Sequence, residues 1–403
     1  MKFNIISYAF LGDQQIYKTS TEKLVGGAEV YLYDLSQFLL SLGHQVKIIQ
    51  GGEKDEEFIF RNIQIRRIKM PGICRKIGFI PENFYEFNWL WKKHLDKDVD
   101  RVHLHHMQHA WPLASSDMTA TYHGVDWDIP KKEYFRYSSE IYPAPYKYFL
   151  KPFYSINGFI NKKVFSRYAI TKLSKIASVD SFLLRYVQSE FPDYRNKIEV
   201  IYNYVDAEIF KPITVNALKN DKYKNRFVVL FPRNFSLNRG VHYAIEAMRV
   251  VVEKYPEVLL IMAGDGVAKQ FILNKIKQFN LDNNIEIIGH IDHFTELPIY
   301  YNIADIVIIP TAYSEGTSLS CLEAMATGKA VIATNVGGLY DIIKNHNNGI
   351  IINPSSNELS ASIIHLIENP SDRQKLGNSA ITTINQSFTK SIWENKYKNF
   401  FKL

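Results

Sequence analysis

Ser314-Glu315-Gly316-Thr317-Ser318-Leu319-Ser320-Cys321-Leu322-Glu323-Ala324-Met325-Ala326 lies between two apolar runs, Ala304-Asp305-Ile306-Val307-Ile308-Ile309-Pro310 before it and Ala330-Val331-Ile332-Ala333 after it. The first run reads as a buried parallel strand and the second as the next strand. Gly328 between them reads as a helix stop. Glu315 therefore falls in the loop at a strand's carboxyl end, and Glu323 lies about one and a half turns inside the following helix. In an open α/β sheet, ligands bind in that crevice. The N–H groups of Ser318 and Leu319 open the helix and suit an anion. The pattern predicts a phosphate resting on the helix start, with a carboxylate on either side to grip hydroxyl groups. A sugar nucleotide has that chemistry.

The same alternation extends in both directions. Strands are expected at 2–7, 44–50, 63–68, 101–105, 118–122, 175–178 and 197–201, then again at 226–231, 258–263, 285–288, 305–309, 330–334 and 349–352. Helices fill the gaps, the first over 26–42. Such a pattern argues for parallel sheets covered on both faces. With 403 residues, two domains are the default. The polar, Lys/Asn-rich stretch 212–225 carries the boundary. We expect an N-terminal domain over 1–212, a C-terminal domain over 213–388, and a closing segment, 389–403, that is helical in period and crosses back to the first domain.

Composition narrows the classes. Hydrophobic residues make up 46% of the chain, as in globular proteins, and no apolar run is long enough to suggest a spanning helix. Met1-Lys2-Phe3-Asn4-Ile5-Ile6-Ser7-Tyr8 reads as a first strand rather than a signal peptide. Two cysteines, Cys74 and Cys321, exclude a disulfide framework or a cysteine zinc site and fit a reducing cytoplasm. The net charge of +7 permits anionic substrates or an anionic membrane surface without proving either. No nucleic-acid partner is expected.

Candidate chemistry gathers at strand ends. Phe231-Pro232-Arg233-Asn234-Phe235-Ser236-Leu237-Asn238-Arg239-Gly240 places two arginines at a strand-to-helix turn on the sheet edge that carries Glu315. A guanidinium fork matches phosphate oxygens, so Arg233, Arg239 and the Ser318 helix start would neutralise a diphosphate without a metal. Gly26-Gly27 precedes the first helix, and Gly264-Asp265-Gly266 closes another strand; each is a place for close backbone approach or simply a turn. Neither has the spacing of a nicotinamide-binding loop. His123 ends a first-domain strand, where it is either packed or turned toward a ligand. His103, His105, His106 and His109 read as strand-end packing rather than a metal site, because no carboxylate has ligand spacing around them. Asp126 and Asp128 either orient an acceptor or cap a turn.

The stretch 131–175 departs in composition, with ten Lys/Arg, two Glu and twelve Phe/Tyr. One reading is an insertion of short helices with solvated lysines. The other is an interfacial patch, with aromatics entering a membrane surface and cations meeting anionic lipid.

Taken together, the motifs resemble the retaining glycosyltransferases of family four (glycosyl transferases group 1) over essentially the whole chain. The resemblance rests on Gly26-Gly27-Ala28-Glu29, His123-Gly124, Ile201-Tyr202-Asn203-Tyr204-Val205-Asp206 through Pro212, the Arg233–Arg239 turn, Gly264-Asp265-Gly266, and the Glu315–Glu323 frame. It implies a GT-B fold, two Rossmann-like doubly wound domains facing a central cleft. It also implies transfer of a sugar from a nucleoside-diphosphate sugar to an acceptor hydroxyl, in surface or lipid-linked glycan synthesis. By the same resemblance Glu315 holds the sugar and Glu323 the ribose. Gly316, Thr317, Ser318 and Leu319 meet sugar and phosphates, and Arg233 and Arg239 stabilise the leaving diphosphate. Gly27 approaches that diphosphate, His123 contacts the sugar, and Gly264 and Gly266 frame the donor. No metal or other cofactor is implied. Two positions depart from the family pattern: Arg239 stands where lysine is usual and one residue later, and Tyr204 replaces a glycine. A nucleotide-sugar epimerase on the same fold and a non-catalytic nucleotide-sugar-binding subunit remain as alternatives. The acceptor, glycan, lipid-linked or small, is not specified, and the implied location is cytoplasmic, peripheral to the inner face of a membrane.

Overall fold

The computed structural model describes residues 1–11, 27–71, 84–124, 137–138, 140–141, 152, 155–214 and 223–403. Expectations for Gly26, Asp126, Asp128, Cys74, residues 13–24 and much of 131–154 and 215–222 lie outside those residues. The chain divides into two compact units. The first comprises Met1–His123, Phe159–Ile201 and Tyr397–Leu403, the second Gly124–Gly158 and Tyr202–Lys396.

Among the described residues, the first unit holds one sheet of β1 (Lys2–Ile6), β2 (Gln45–Gly52), β3 (Glu56–Phe60), β4 (Ile63–Lys69), β5 (Arg101–Leu104), β6 (Thr119–Tyr122), β7 (Lys175–Ser178) and β8 (Ile198–Val200). Their spatial order is β3-β4-β2-β1-β5-β6-β7-β8. The order reverses between β1 and β5, which pair in parallel, so the carboxyl ends of these two strands frame a switch point. One expectation fails here: β3 is a strand the sequence reading missed, and it pairs antiparallel with β4. Its alternating burial, with Glu57 and Ile59 exposed, is that of an edge hairpin strand rather than a doubly covered one. The helix Gly27–Ser41 covers the sheet with Tyr31, Leu32, Leu35, Phe38 and Leu39.

The second unit holds β9 (Phe227–Phe231), β10 (Val258–Ala263), β11 (Ile285–Gly289), β12 (Ile306–Ile309), β13 (Ala330–Thr334) and β14 (Ile350–Ile352), in the order β11-β10-β9-β12-β13-β14. Every pairing is parallel. Alternate residues serve opposite layers. Val229, Phe231, Leu260, Met262 and Ile308 join one core, while Val228, Leu230, Ile261, Val307 and Ile309 join the other. A period of two with both faces apolar is what makes these strands continuous hydrophobic runs in the sequence. The order reverses between β9 and β12, and the loops bearing Arg233 and Glu315 leave those two strands.

The helix Lys390–Phe401 serves both units. Trp393 packs on Tyr204 of the second, with ring centroids 5.2 Å apart. Phe401 and Tyr397 pack on Phe3 and Tyr31 of the first, at 5.3 and 6.1 Å.

Candidate active site

The turn after β9 does not run directly into its helix. A single 3-10 turn, Leu237–Arg239, comes first, and the α-helix begins at Val241. Gly240 joins them in a left-handed conformation, φ 79°, and a Cβ there would lie 1.7 Å from the Pro310 carbonyl oxygen. Only glycine fits that approach. The consequence is that Arg239 is held against the loop leaving β12, an attachment reinforced by the Ala312 N–H donating to the Asn238 carbonyl at 2.8 Å.

On that loop Ser314 takes φ 56°, a conformation uncommon for a residue with a side chain. Glu315 follows it into the interior and is only 7% exposed. Its Oε2 accepts three hydrogen bonds: from Arg233 Nη2 at 2.6 Å, Arg239 Nη1 at 2.6 Å and Thr311 Oγ1 at 2.9 Å. Arg233 is buried and Arg239 partly exposed. Burial pushes the Glu315 carboxyl up, but the two guanidiniums outweigh it and hold the group below the ordinary carboxylate value. All three donors share one oxygen. Oε1 has no hydrogen-bond partner among the described residues, so it remains able to accept from a ligand hydroxyl.

Behind Glu315, the helix Leu319–Ala326 starts at Ser318. The Ser318 side chain does not cap it; its Oγ accepts from Arg233 Nη1 at 3.2 Å instead. The first-turn N–H groups are thus left facing the arginine loop, with the positive end of the helix dipole behind them. The chain leading into the helix is pinned by Asn203 Nδ2, which donates to the Thr317 carbonyl at 2.8 Å, and by the Gly338 N–H, which donates to the Glu315 carbonyl at 3.0 Å. Gly337, at φ 53°, lies so close that a Cβ would meet the Glu315 carbonyl oxygen at 1.9 Å.

Glu323 sits on the buried face of this helix at 3% exposure. Its Oε2 accepts from the Tyr301 hydroxyl at 2.8 Å, and its Oε1 lies 3.4 Å from His293 Nε2. Burial drives its carboxyl above the ordinary value, with His293 opposing. Two carboxylates eight positions apart therefore have opposite electrostatics, one held below its ordinary value by two guanidiniums and one raised above it by burial.

Gly264 and Gly266 pack under the arginine loop; Cβ atoms there would meet the Arg233 and Phe235 carbonyl oxygens at 2.2 and 2.5 Å. The second unit thus brings together Arg233, Arg239, Gly264, Gly266, Glu315, Gly316, Thr317, Ser318, Leu319 and Glu323. Gly27 and His123 belong to the first unit. Gly27 is the exposed first residue of its helix. His123 Nε2 lies 3.2 Å from His105 Nδ1, and its ring stands edge-on to Tyr31 at 4.9 Å.

The remaining first-unit histidines are packed residues. His103 bonds Thr119 and Thr121, both at 2.9 Å, and His109 bonds Asn88 Oδ1 at 2.8 Å. Burial lowers every histidine of the group; His103 falls to about 3 and His106 to about 4. Among the described residues no group of three or more His, Cys, Asp or Glu is arranged to hold a metal ion.

Sequence reading missed Thr311, Tyr301, His293 and the Gly337-Gly338 pair, and it quoted Asn203 without giving it a contact. The glycine pair could have been found, since it follows β13 and precedes a helix as Gly26-Gly27 follows β1. The others had no local signal, because their meaning depends on contacts across 4 to 114 residues of sequence.

Comparison with known proteins decides the family. The Glycosyltransferase Family 4 model matches residues 25–209, and the Glycosyl transferases group 1 model matches residues 214–383. The chain belongs to the family 4, group 1 glycosyltransferases. One family relative, an uncharacterized glycosyltransferase of Methanocaldococcus jannaschii, is 27% identical over 57% of this chain and 60% of its own length. The Bacillus subtilis spore coat protein SA is 25% identical over 52% of this chain and 59% of its own. The chain thus spans about 60% of the length of these curated relatives. Among solved structures, sucrose-phosphate synthase from Thermosynechococcus elongatus superposes with a TM-score of 0.76 at 18% identity, covering 100% of this chain and 98% of that one. Anabaena HepE, crystallised with UDP-glucose, gives 0.69 at 18% identity over 100% of both chains. The fold of this family 4 chain is that of GT-B glycosyltransferases, with two Rossmann-like α/β units.

Proposed function

We propose that the chain transfers a sugar from a nucleoside-diphosphate sugar to an acceptor hydroxyl with retention of anomeric configuration. The observation that carries this reading is the asymmetry of Glu315. One oxygen is occupied by Arg233, Arg239 and Thr311, and the other, without a partner among the described residues, lies beside a helix start that has no side-chain cap. In this reading the open oxygen accepts from a hydroxyl of the donor sugar. The guanidiniums, fixed by Glu315, turn their remaining N–H groups to the diphosphate with the amides of Thr317, Ser318 and Leu319. As the glycosidic bond breaks, negative charge grows on the diphosphate, and preorganised donors stabilise it without reorganising. Two guanidiniums and a helix start supply that charge without a metal ion. The leaving phosphate then takes the acceptor's proton on the same face. Glu323 takes the ribose hydroxyls. His123, Gly27, Gly264 and Gly266 are proposed donor contacts on the strength of the family resemblance. The solved HepE complex with UDP-glucose supports a nucleotide-sugar donor.

The test is a purified-chain assay. Sugar nucleotides of UDP, GDP, ADP and dTDP are each incubated with and without candidate acceptors, and diphosphate release and product are read by mass. Acceptor-dependent release supports transfer. An epimer formed without acceptor, or binding without turnover, would replace it with the epimerase or the binding subunit.

An anionic membrane surface is the partner we propose for the helical run 155–172. Phe159 is 64% and Val164 41% exposed there, beside Lys162 and Lys163. Apolar side chains next to cations suit the inner face of a membrane, which would place the work in surface or lipid-linked glycan synthesis on the cytoplasmic side. None of the described helices is long and apolar enough to cross a membrane. A Lys162→Glu/Lys163→Glu variant should lose flotation with vesicles containing anionic lipid, and unchanged flotation would remove this partner.

A further inference from the structure

We propose that His293 is a positioning residue that aims the Glu323 carboxylate at a vicinal diol, and so makes the donor site select ribonucleotides over 2′-deoxyribonucleotides. The inference rests on the reading of Glu323 as the ribose carboxylate.

Glu323 has a neighbour on each carboxylate oxygen. Tyr301 is fully buried, and its single hydroxyl proton is shared between Glu323 Oε2 at 2.8 Å and the Ser320 carbonyl at 3.2 Å. On the other oxygen, His293 Nε2 lies 3.4 Å from Oε1, within ion-pair distance. It is also the member of the trio that reaches solvent, with its side chain 37% exposed. His293 therefore stands where a ligand would enter, in contact with the group that would bind it.

The ring is held in place from both sides. Phe210 lies 5.3 Å from it and Phe294 4.8 Å, the latter edge-on. Its loop is fixed by Asp292, whose Oδ1 accepts from the N–H groups of Phe294 and Thr295 and from the Thr295 hydroxyl. The Asp292 N–H in turn donates to Glu296 Oε2 at 2.7 Å. This reciprocal pair fixes the turn that precedes the helix Leu297–Ile303. A side chain so anchored loses little freedom when it holds a partner.

The chemistry follows from the carboxylate. Two adjacent hydroxyls donate to a carboxylate only if both oxygens present lone pairs toward them, which requires an ionised group of fixed rotation. A donor on Oε1 and another on Oε2 set that rotation. With His293 removed, Oε1 is unheld, the plane of the group is free to turn, and burial favours the protonated form, which has less acceptor capacity. The loss falls on the second hydroxyl of the diol, so discrimination between ribose and 2′-deoxyribose suffers first.

The test measures binding rather than turnover. Of UDP, GDP and ADP, the diphosphate that raises Tm most is titrated by calorimetry alongside its 2′-deoxy counterpart. The wild-type chain should favour the ribo form. His293→Ala should weaken the ribo form several-fold, on the order of the loss of one charge-assisted contact, and leave the deoxy form nearly unchanged. His293→Gln, whose amide donates from a similar position, should restore part of the ratio. In kinetics the loss should appear in KM with little change in kcat. An undiminished ribo-to-deoxy ratio in His293→Ala overturns the inference when Glu323→Gln abolishes the ratio. If Glu323→Gln also leaves the ratio intact, or if none of the three nucleotides binds, the ribose reading of Glu323 falls and His293 falls with it.

Discussion

The two units carry the same kind of switch point and furnish it with opposite electrostatics. In the second unit, where β9 meets β12, Glu315, Arg233 and Arg239 form a buried ionised cluster. In the first, histidines follow the ends of β5 and β6, and burial keeps them neutral. His105, His106 and His123 lie with ring centroids 4.4 to 5.0 Å apart. Three imidazoles this close could not all be charged. A sheet edge becomes an anion site by the side chains placed on it, not by its topology. The work of handling charge is concentrated on the second unit.

The harshest way to break this contrast is Glu315→Ala. It leaves two guanidiniums buried beside each other without their counter-ion, a change that costs about 3–5 kcal/mol in comparable buried pairs. Turnover should fall by at least about a hundredfold, the scale of losing a preorganised electrostatic group. Thermal melts and acceptor-dependent release would be measured together, and a variant that keeps full turnover removes Glu315 from the mechanism. Glu315→Gln keeps the shape and removes the charge, so it separates packing from electrostatics.

Arg233→Ala and Arg239→Ala should rank next, and unequally in stability. Arg233 is buried and also holds Ser318, whereas Arg239 is partly exposed. Both should depress turnover strongly, while the loss in Tm should be larger for Arg233→Ala. Equal melts would mean that burial does not distinguish them.

Acid should sharpen the contrast more gently. His103 and His106 fall from the ordinary 6.5 to about 3 and about 4. The folded chain therefore binds fewer protons than the unfolded chain between those values and 6.5. Their stability is complete above pH 6.5 and drains as pH falls, by about 1.4 kcal/mol per unit for each group within its window. Glu315, shifted below its ordinary 4.5, begins to lose its contribution only below that pH. Glu323 is shifted the other way, so its contribution is complete below 4.5 and is lost as pH rises through its raised value. Between pH 6.5 and 4.5, peptide-resolved hydrogen exchange should therefore show the first unit loosening before the second. Simultaneous loosening would overturn the assignment of neutral histidines to the first unit.

The smallest expected functional effect is that of His103→Leu. It removes bonds to Thr119 and Thr121 and should cost about 1–3 kcal/mol of stability while leaving nucleotide binding unchanged. A loss of binding would extend the functional site into the first unit's core.

What could be read in advance follows from how local each signal is. The strands of the second unit were legible because both faces are covered, which turns each into an unbroken apolar run such as Val258–Ala263. β3 was not, since Glu56-Glu57-Phe58-Ile59-Phe60 is covered on one side only and mixes charge with apolar residues. Glu315, Arg233 and Arg239 announced themselves as charges at strand ends. Thr311 and Tyr301 did not, because a threonine near a strand end and a tyrosine in a helix are ordinary until folding sets their hydroxyls 2.9 and 2.8 Å from the carboxylates. The 3-10 turn Leu237–Arg239 ahead of the helix carries no local signal in the sequence. The left-handed φ of Gly240 could only be learned from its collision partner, Pro310, some seventy positions away in the chain.

The helix Lys390–Phe401 bears on what the first unit needs in order to fold. Phe401 packs on Phe3 of β1 and on His103 of β5. The first unit's core is therefore completed by a segment, Tyr397–Leu403, that follows the whole second unit in the chain. A chain without Tyr397–Leu403 would leave Phe3 of β1 and His103 of β5 without the Phe401 ring that covers them.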